Sequence, residues 1–326
     1  ALPISFKRLS HLEIEAYIAS DEWRGKAGGI KVVNSPDEAR EAAEGKAGIP
    51  LSAILASGAA SSWPVLERFH IPVLSPVPSA WPVFLQKSNL LNIASQISVI
   101  AIIAAGMTLV IMTGGIDLST GPLAGFLVVI ASFYINDDAP ATAMIMGIAT
   151  MVLVAVLVGL ANSALIRFVK FTAIAATLTT YIAIGGFAFL LRPQPDGYIS
   201  QTLSDVLNAA IGPIPYVFIA LIIATVIMEY LLRKSRWGWR LRAVGSNEEA
   251  ARKVGVNTTR SIIGAYVISS LFVFLGALLL MVQLGIGDAS QGVSYTLTGI
   301  TAVVLGGTSL MGGRGTYVGT FMGAIL

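Results

Sequence analysis

From Ala141 to Ile166 the chain runs for 26 residues without one charged side chain. About 20 apolar residues are enough to cross the hydrocarbon core of a bilayer as a helix. In that solvent each backbone N–H and C=O needs a partner within the segment, so helix is the form such a run takes. Comparable runs occupy Ile97–Met112, led by the short amphipathic piece Asn89–Gln96, then Leu123–Ile135, Thr172–Leu191, Ile214–Leu232, Ser261–Val282 and Leu297–Leu310, and Tyr317–Leu326 begins an eighth. The expected class is an all-α polytopic membrane protein with about eight visible transmembrane helices.

Charge is scarce and uneven. Only 12% of residues are charged and the mean hydropathy is +0.77, values foreign to a soluble chain of this length. Residues 1–88 hold nine acids and nine bases, leaving nine acids and twelve bases for the 238 that follow. Eight of those bases lie between Arg233 and Arg260: Arg233, Lys234, Arg236, Arg240, Arg242, Arg252, Lys253 and Arg260. The positive-inside rule puts that loop in the cytoplasm. Counting spans back from it puts Arg167 and Lys170 inside as well, and Asp137, Asp138 and the loop from Arg192 to Pro213 outside. The basic surplus therefore reports topology, and no nucleic-acid partner is expected. Trp237 and Trp239 beside the loop suit an interfacial aromatic belt.

Within the loop, Ala243–Gly255 is a charged island with the marks of a two-turn helix. Asn247 is a good N-cap, Glu248 and Glu249 suit the positive end of the dipole, and Arg252 and Lys253 suit the other end. Gly255 ends it. Ala250 and Ala251 are expected to leave one face small and smooth. So short a helix is unstable alone. It is either a solvated loop helix or a helix built to enter a groove on a soluble partner.

Two apolar segments are interrupted alike. Gly114, Gly115, Leu118 and Gly121 form GGxxLxxG, and Gly306, Gly307, Leu310 and Gly313 repeat it 192 residues later. Matched glycine breaks in two halves of a membrane protein point to an internal repeat and a translocation path. Asp117, Ser119, Asn162 and Arg314 are polar candidates for that path. Asp117 has two readings, a pathway acid or a helix cap ahead of Pro122, with Ser119 and Thr120 as rival caps. Arg314 either pairs with Asp117 or faces the cytoplasm. Asn162 reads as interhelical glue or as a ligand.

Catalytic and cofactor chemistry find no foothold. There is no cysteine, both histidines (His11 and His70) precede the membrane body, and no GxxxxGK[ST] phosphate loop occurs. No metal site or cofactor is expected, and transport energy has to come from a partner or an ion gradient.

The sequence Glu249-Ala250-Ala251 followed after three residues by Gly255 resembles the EAA motif of bacterial ATP-binding-cassette importer permeases. MTLVIMTGGIDLSTG (107–121) and VVLGGTSLMGGRGTYVG (303–319) are similar to the ribose/xylose-type permeases of that class. The resemblance spans residues 84–326. It implies a permease in the bacterial cytoplasmic membrane that pairs with a second copy of itself, a cytoplasmic ATP-binding subunit docked on Asn247–Gly255, and a periplasmic solute-binding protein. LRPQPDGYIS (191–200) is similar to the external loop of these permeases, and Gly285–Asp288 is expected on the same outer face. An ion-coupled secondary transporter is the alternative, with Asp117 and Glu229 as its ionisable candidates.

Residues 1–83 form a polar head with little pattern. Gly28–Val33 reads as a turn and strand, and Ser35–Gly45 as a capped helix. Trp23–Gly48 weakly resembles part of a succinyl-CoA-ligase β subunit, a match too short to fold alone, and is read as a displaced segment rather than an enzymatic module. Pro64, Pro72, Pro76 and Pro78 exclude a membrane helix there. Beginning without methionine and ending inside an apolar run, the chain is expected to be truncated at its C-terminal side.

Overall fold

A computed structural model describes residues 29–33, 51–56, 73–74, 87–137, 139–207, 209–211 and 214–326. The chain divides into two units, Ala1–Val83 and Phe84–Leu326. In the first, β1 (Gly29–Val33), β2 (Leu51–Ala56) and β3 (Val73–Leu74) form a parallel sheet in that order. The strand expected at Gly28–Val33 is β1. The helix expected from Ser35, most of the ligase-like stretch and both histidines lie outside the described residues.

The second unit contains eleven described helices. In order they are α1 (Lys87–Met112), α2 (Thr120–Tyr134), α3 (Ala141–Arg167), α4 (Ala173–Leu191), α5 (Gln201–Leu207), α6 (Tyr216–Lys234), α7 (Arg236–Ser246), α8 (Glu248–Lys253), α9 (Thr258–Leu284), α10 (Ser294–Leu305) and α11 (Tyr317–Ile325). The short amphipathic lead joins the first apolar run without interruption to make α1. Five of these helices, α1, α3, α4, α6 and α9, are long and apolar enough to cross a bilayer. The other three apolar segments are shorter: α2 has 15 residues, α10 has 12 and α11 has 9. The run expected to continue to Leu310 stops at Leu305, because Gly306 and Gly307 turn the chain there.

Burial sorts the spans into a centre and a periphery. Over its most apolar window α1 is 72% buried and α9 67%, against 22% for α3, 22% for α4 and 17% for α6. The central pair touches along its length, α3 and α2 lie against α9, and α10 and α11 close over α1. Small residues set these distances, as membrane helices have no hydrophobic drive to associate in lipid. A Cβ on Gly106 of α1 would sit 2.8 Å from the Ser269 carbonyl oxygen, and one on Gly159 of α3 would sit 2.7 Å from Val267 Cα. The side chains of Ile145, Leu153, Leu157, Ile182, Leu190 and Ile223 point outward from α3, α4 and α6, as lipid-facing positions do.

At the outer end, β4 (Asp196–Tyr198) pairs antiparallel with β7 (Ile286–Gly287), so the loop after α4 and the loop after α9 share one surface. Arg192 holds it: Nη1 bonds Asp196 at 2.8 Å, Nε donates to Ser132 Oγ at 2.8 Å, and the guanidinium lies 4.2 Å from the centre of the Phe133 ring. A second small ribbon, β5 (Ala210–Ile211) with β6 (Ile214–Pro215), leads into α6.

Candidate functional site

The basic loop is two helices, not one. Ser235 caps α7 by accepting the Gly238 N–H at 3.1 Å. Asn247 then caps α8, its Oδ1 accepting the Ala250 N–H at 2.9 Å. Glu248 and Glu249 fill the first turn of α8, and Arg252 and Lys253 its last. Gly255, at φ +84°, adopts the left-handed conformation that closes it, with its N–H to Arg252 O and the Val256 N–H to Ala251 O, both 3.0 Å.

The face expected to be smooth is divided. Ala251 turns inward and packs with Val110, Val244, Ile262 and Tyr266, leaving Ala250 outward with Glu249, Lys253 and Val254. Glu249 and Lys253 pair with each other at 2.9 Å. Glu248 does something else: it bonds Arg167 at the end of α3 at 2.7 Å. The same guanidinium donates to Thr258 Oγ1 (3.1 Å) and Thr259 Oγ1 (3.2 Å) at the start of α9. Burial pushes the Glu248 carboxyl upward, but hydrogen bonds from Arg167 and Thr258 and the charges of Arg167 and Arg252 outweigh it and hold it below its ordinary value. Thus α8 is pinned from behind to two membrane helices while its front stays exposed.

Just above this helix the two glycine breaks meet. Helix α1 ends at Gly114 (φ +80°), with Gly114 N–H to Ile111 O at 2.9 Å and Gly115 N–H to Val110 O at 3.1 Å. Helix α10 ends in the same pattern at Gly307 (φ +84°), with N–H bonds from Gly307 to Val304 O (2.9 Å) and from Thr308 to Val303 O (3.2 Å). The conformational match pairs Gly114 with Gly307, one residue later than the sequence spacing, which pairs Gly114 with Gly306. The breaks also touch: Gly313 N–H donates to Met112 O at 2.9 Å. Gly245, at the end of α7, fills the remaining corner, where a Cβ would lie 1.8 Å from Met112 O and 2.6 Å from Gly313 N. Backbone from three segments therefore crosses at one point, one turn from α8.

Beyond the first break lies a buried polar cluster. Asp117 is 2% exposed and Asn162 0%. Asp117 Oδ1 accepts the Ser119 N–H (3.0 Å) and the Ser119 hydroxyl (2.6 Å). Asn162 Nδ2 donates to Ser119 Oγ (2.8 Å), and Thr180 Oγ1 donates to Asn162 Oδ1 (2.5 Å). Thr177 Oγ1 donates to Ile116 O at 3.1 Å. Ser119 does not cap α2 with its side chain; Asp117 holds that turn instead. Asp117 Oδ2 and the buried Tyr266 hydroxyl have no hydrogen-bond partner among the described residues, and Tyr266 lies against Gly115, where a Cβ would meet its oxygen at 2.6 Å. Gly121 presses on Gly292 and Val293 in the loop before α10, and its N–H donates to Thr296 Oγ1 in the first turn of α10 at 3.1 Å. Gly306 lies against Gly319 of α11. Arg314 is exposed and makes no ion pair among the described residues, so it does not pair with Asp117.

Glu229, the other acid within a membrane segment, is engaged on both oxygens. One pairs with Arg233 and the other accepts the Tyr317 N–H at 2.6 Å, at the start of α11. It is a clamp between α6 and α11. No group of His, Cys, Asp and Glu able to hold a metal occurs among the described residues.

Residues 89–326 match the family model described as the branched-chain amino acid transport system / permease component. The chain belongs to this permease family. Among curated proteins, the ribose import permease protein RbsC of Bacillus subtilis is 35% identical over 249 residues, covering 75% of this chain and 76% of that one. Its counterpart in Haemophilus influenzae is 33% identical over 255 residues with the same coverage. The galactose/methyl galactoside import permease protein MglC of Haemophilus influenzae is 32% identical over 265 residues, 75% of this chain and 78% of that one. No solved structure was found to match. As a member of the permease family the protein is a multi-pass component of the bacterial cytoplasmic membrane.

Glu249, Ala250, Ala251 and Gly255, whose spacing resembles the EAA motif, lie on α8 and its closing turn. The cap at Asn247 and the close at Gly255 are legible in the sequence, whereas Arg167 reads there only as topology and Gly245, Thr180 and Tyr266 carry no signal. Arg167 is a single base ending an apolar run, indistinguishable in sequence from any cytoplasmic flank.

Proposed function

We propose that this chain is the membrane-spanning subunit of an ATP-driven importer that carries a monosaccharide or similar polar solute. It works with a cytoplasmic ATP-binding subunit, a periplasmic solute-binding protein and a second copy of itself. The observation that carries the reading is α8, a helix capped at both ends and pinned from behind by Arg167, whose outward residues Glu249, Ala250 and Lys253 are left for a partner. Closure of the ATP-binding subunits pulls on α8. The Glu248–Arg167 pair passes that pull to α3 and α9, and Gly245 passes it to the crossing of the two breaks, so that access alternates between the two sides.

Asp117, Ser119 and Asn162, with Gly114, Gly115, Gly121, Gly306, Gly307, Gly313 and Arg314 around the breaks, are assigned to the translocation pathway. Asp117 Oδ2 and the Tyr266 hydroxyl, buried and without partners among the described residues, are costly unless something satisfies them in another state. Sugar hydroxyls both donate and accept, and fit that need. The protein itself performs no catalysis in this scheme. Residues 1–83 carry no assigned role.

An ion-coupled transporter would require a free acid at mid-membrane. Of the two candidate acids, Glu229 is committed to Arg233 and to the start of α11, which leaves only Asp117 for such a role, and membership of the permease family favours the ATP-driven reading. Uptake of labelled ribose by cells expressing the permease with its partner subunits tests it. Depleting ATP is expected to abolish uptake, and collapsing ion gradients at constant ATP to leave it intact. The reverse pattern supports ion coupling.

A further inference from the structure

We propose that the corner between α6 and α7 binds the headgroup of an anionic phospholipid from the cytoplasmic leaflet. Ile223, Val226, Ile227 and Tyr230 are all exposed on α6, at the spacing of one helical face. One turn further along that face comes Lys234. It opens onto a groove lined by Lys234, Arg236, Trp239 and Arg240. None of these three cations has an ion pair or hydrogen bond to its side chain among the described residues, although Arg233 beside them is paired with Glu229.

The corner is held rigidly. Gly238 is pressed against the end of α6, where a Cβ would lie 2.1 Å from Leu232 O. Ser235 caps α7, and the Trp239 indole N–H donates to Arg233 O at 3.0 Å. The three positive charges are thus kept around one groove at the membrane surface, where their mutual repulsion calls for a counter-anion. A phosphodiester headgroup supplies it, and the apolar face of α6 receives the acyl chains of the same molecule. An acidic protein surface or a free phosphate would use the cations alone, without the adjoining apolar face of α6. Indole rings and basic side chains are suited to this depth.

The test uses the complete chain in phosphatidylcholine bilayers doped with spin-labelled phosphatidylglycerol or spin-labelled phosphatidylcholine. The wild type is expected to retain the anionic probe preferentially. Each of Lys234→Gln, Arg236→Gln and Arg240→Gln should lower that preference about fivefold, and the triple change should remove it with the circular dichroism spectrum unchanged. Equal retention of both lipids by the wild type, or an undiminished preference in the triple variant, overturns the proposal. So does displacement of the probe by inorganic phosphate but not by chloride at equal ionic strength, which identifies a free-anion site. Loss of the co-purifying ATP-binding subunit with lipid preference unchanged assigns the patch to a protein partner and also overturns it.

Discussion

Adding one methyl group at Gly245 is expected to abolish coupled transport. In Gly245→Ala the new carbon would lie 1.8 Å from the Met112 carbonyl oxygen and 2.6 Å from the Gly313 nitrogen. Both are backbone atoms, so no rotamer change relieves the overlap. The hydrogen bond between those two atoms, 2.9 Å long, ties the two glycine breaks together, and the added methyl has to part them or push α7 away. Overpacking of this kind costs about 1–3 kcal/mol or more. We expect G245A to reach the membrane, to melt several degrees below the wild type and to lose at least nine-tenths of its uptake. Gly264 in α9 provides the control, since a Cβ there meets nothing within 4 Å and a helical alanine is tolerated. G264A should transport normally. Equal behaviour of the two variants would remove the crossing from the account.

The second large effect is expected at the pair behind α8. Arg167 is 15% exposed and Glu248 44%, so their contact is neither buried nor fully solvated, and an exposed pair alone would be worth little. Arg167 also donates to Thr258 and Thr259, so its one guanidinium joins α3, α8 and α9. In Arg167→Ala the ATP-binding subunit should still dock, because Glu249, Ala250 and Gly255 are untouched. Its motion should no longer reach α3. The expected signature is ATP hydrolysis retained with uptake reduced by an order of magnitude. Glu248→Ala should give a milder form of the same defect, and the double variant should be no worse than Arg167→Ala.

A pH dependence follows. The Glu248 carboxyl is held below its ordinary value of 4.5, so its contribution is fully present above that value and is lost as pH falls through the lowered one. Denaturation of E248A across that acid range should show a shallower pH slope than the wild type. Loss of ATP hydrolysis together with uptake in R167A would mean that Arg167 serves docking rather than transmission.

Much of this was legible in residue pattern. Asn247 before two acids, two bases and a glycine has one simple reading as a capped helix, because each residue suits its own position independently of tertiary contacts. The long apolar runs were equally plain, since membrane helices satisfy their backbone locally. What was hidden depends on distance. The turn at Gly306 and Gly307 ends a run whose hydropathy continues to Leu310, so composition alone carried the helix too far. Whether Ala250 or Ala251 faces outward depends on how α8 lies against Val110 and Tyr266, which no six-residue pattern encodes. Asp117 illustrates the same limit. Its bonds to Ser119 are local and were foreseeable as capping, whereas the link from Ser119 to Asn162 joins residues 43 apart.

The most direct test of the account is site-directed cross-linking at Ala250. The chain has no cysteine, so Ala250→Cys places a single thiol on the outward face of α8. The assembled transporter, labelled at that thiol with a short thiol-directed photo-cross-linker, irradiated and analysed by mass spectrometry, should show residue 250 joined to the ATP-binding subunit, with a yield that changes when ATP is added. A cysteine at Tyr198, on the outer surface, should form no such product. If residue 250 remains open to small alkylating reagents in the assembled complex and never joins the ATP-binding subunit, α8 is not the docking helix and the coupling scheme built on it fails.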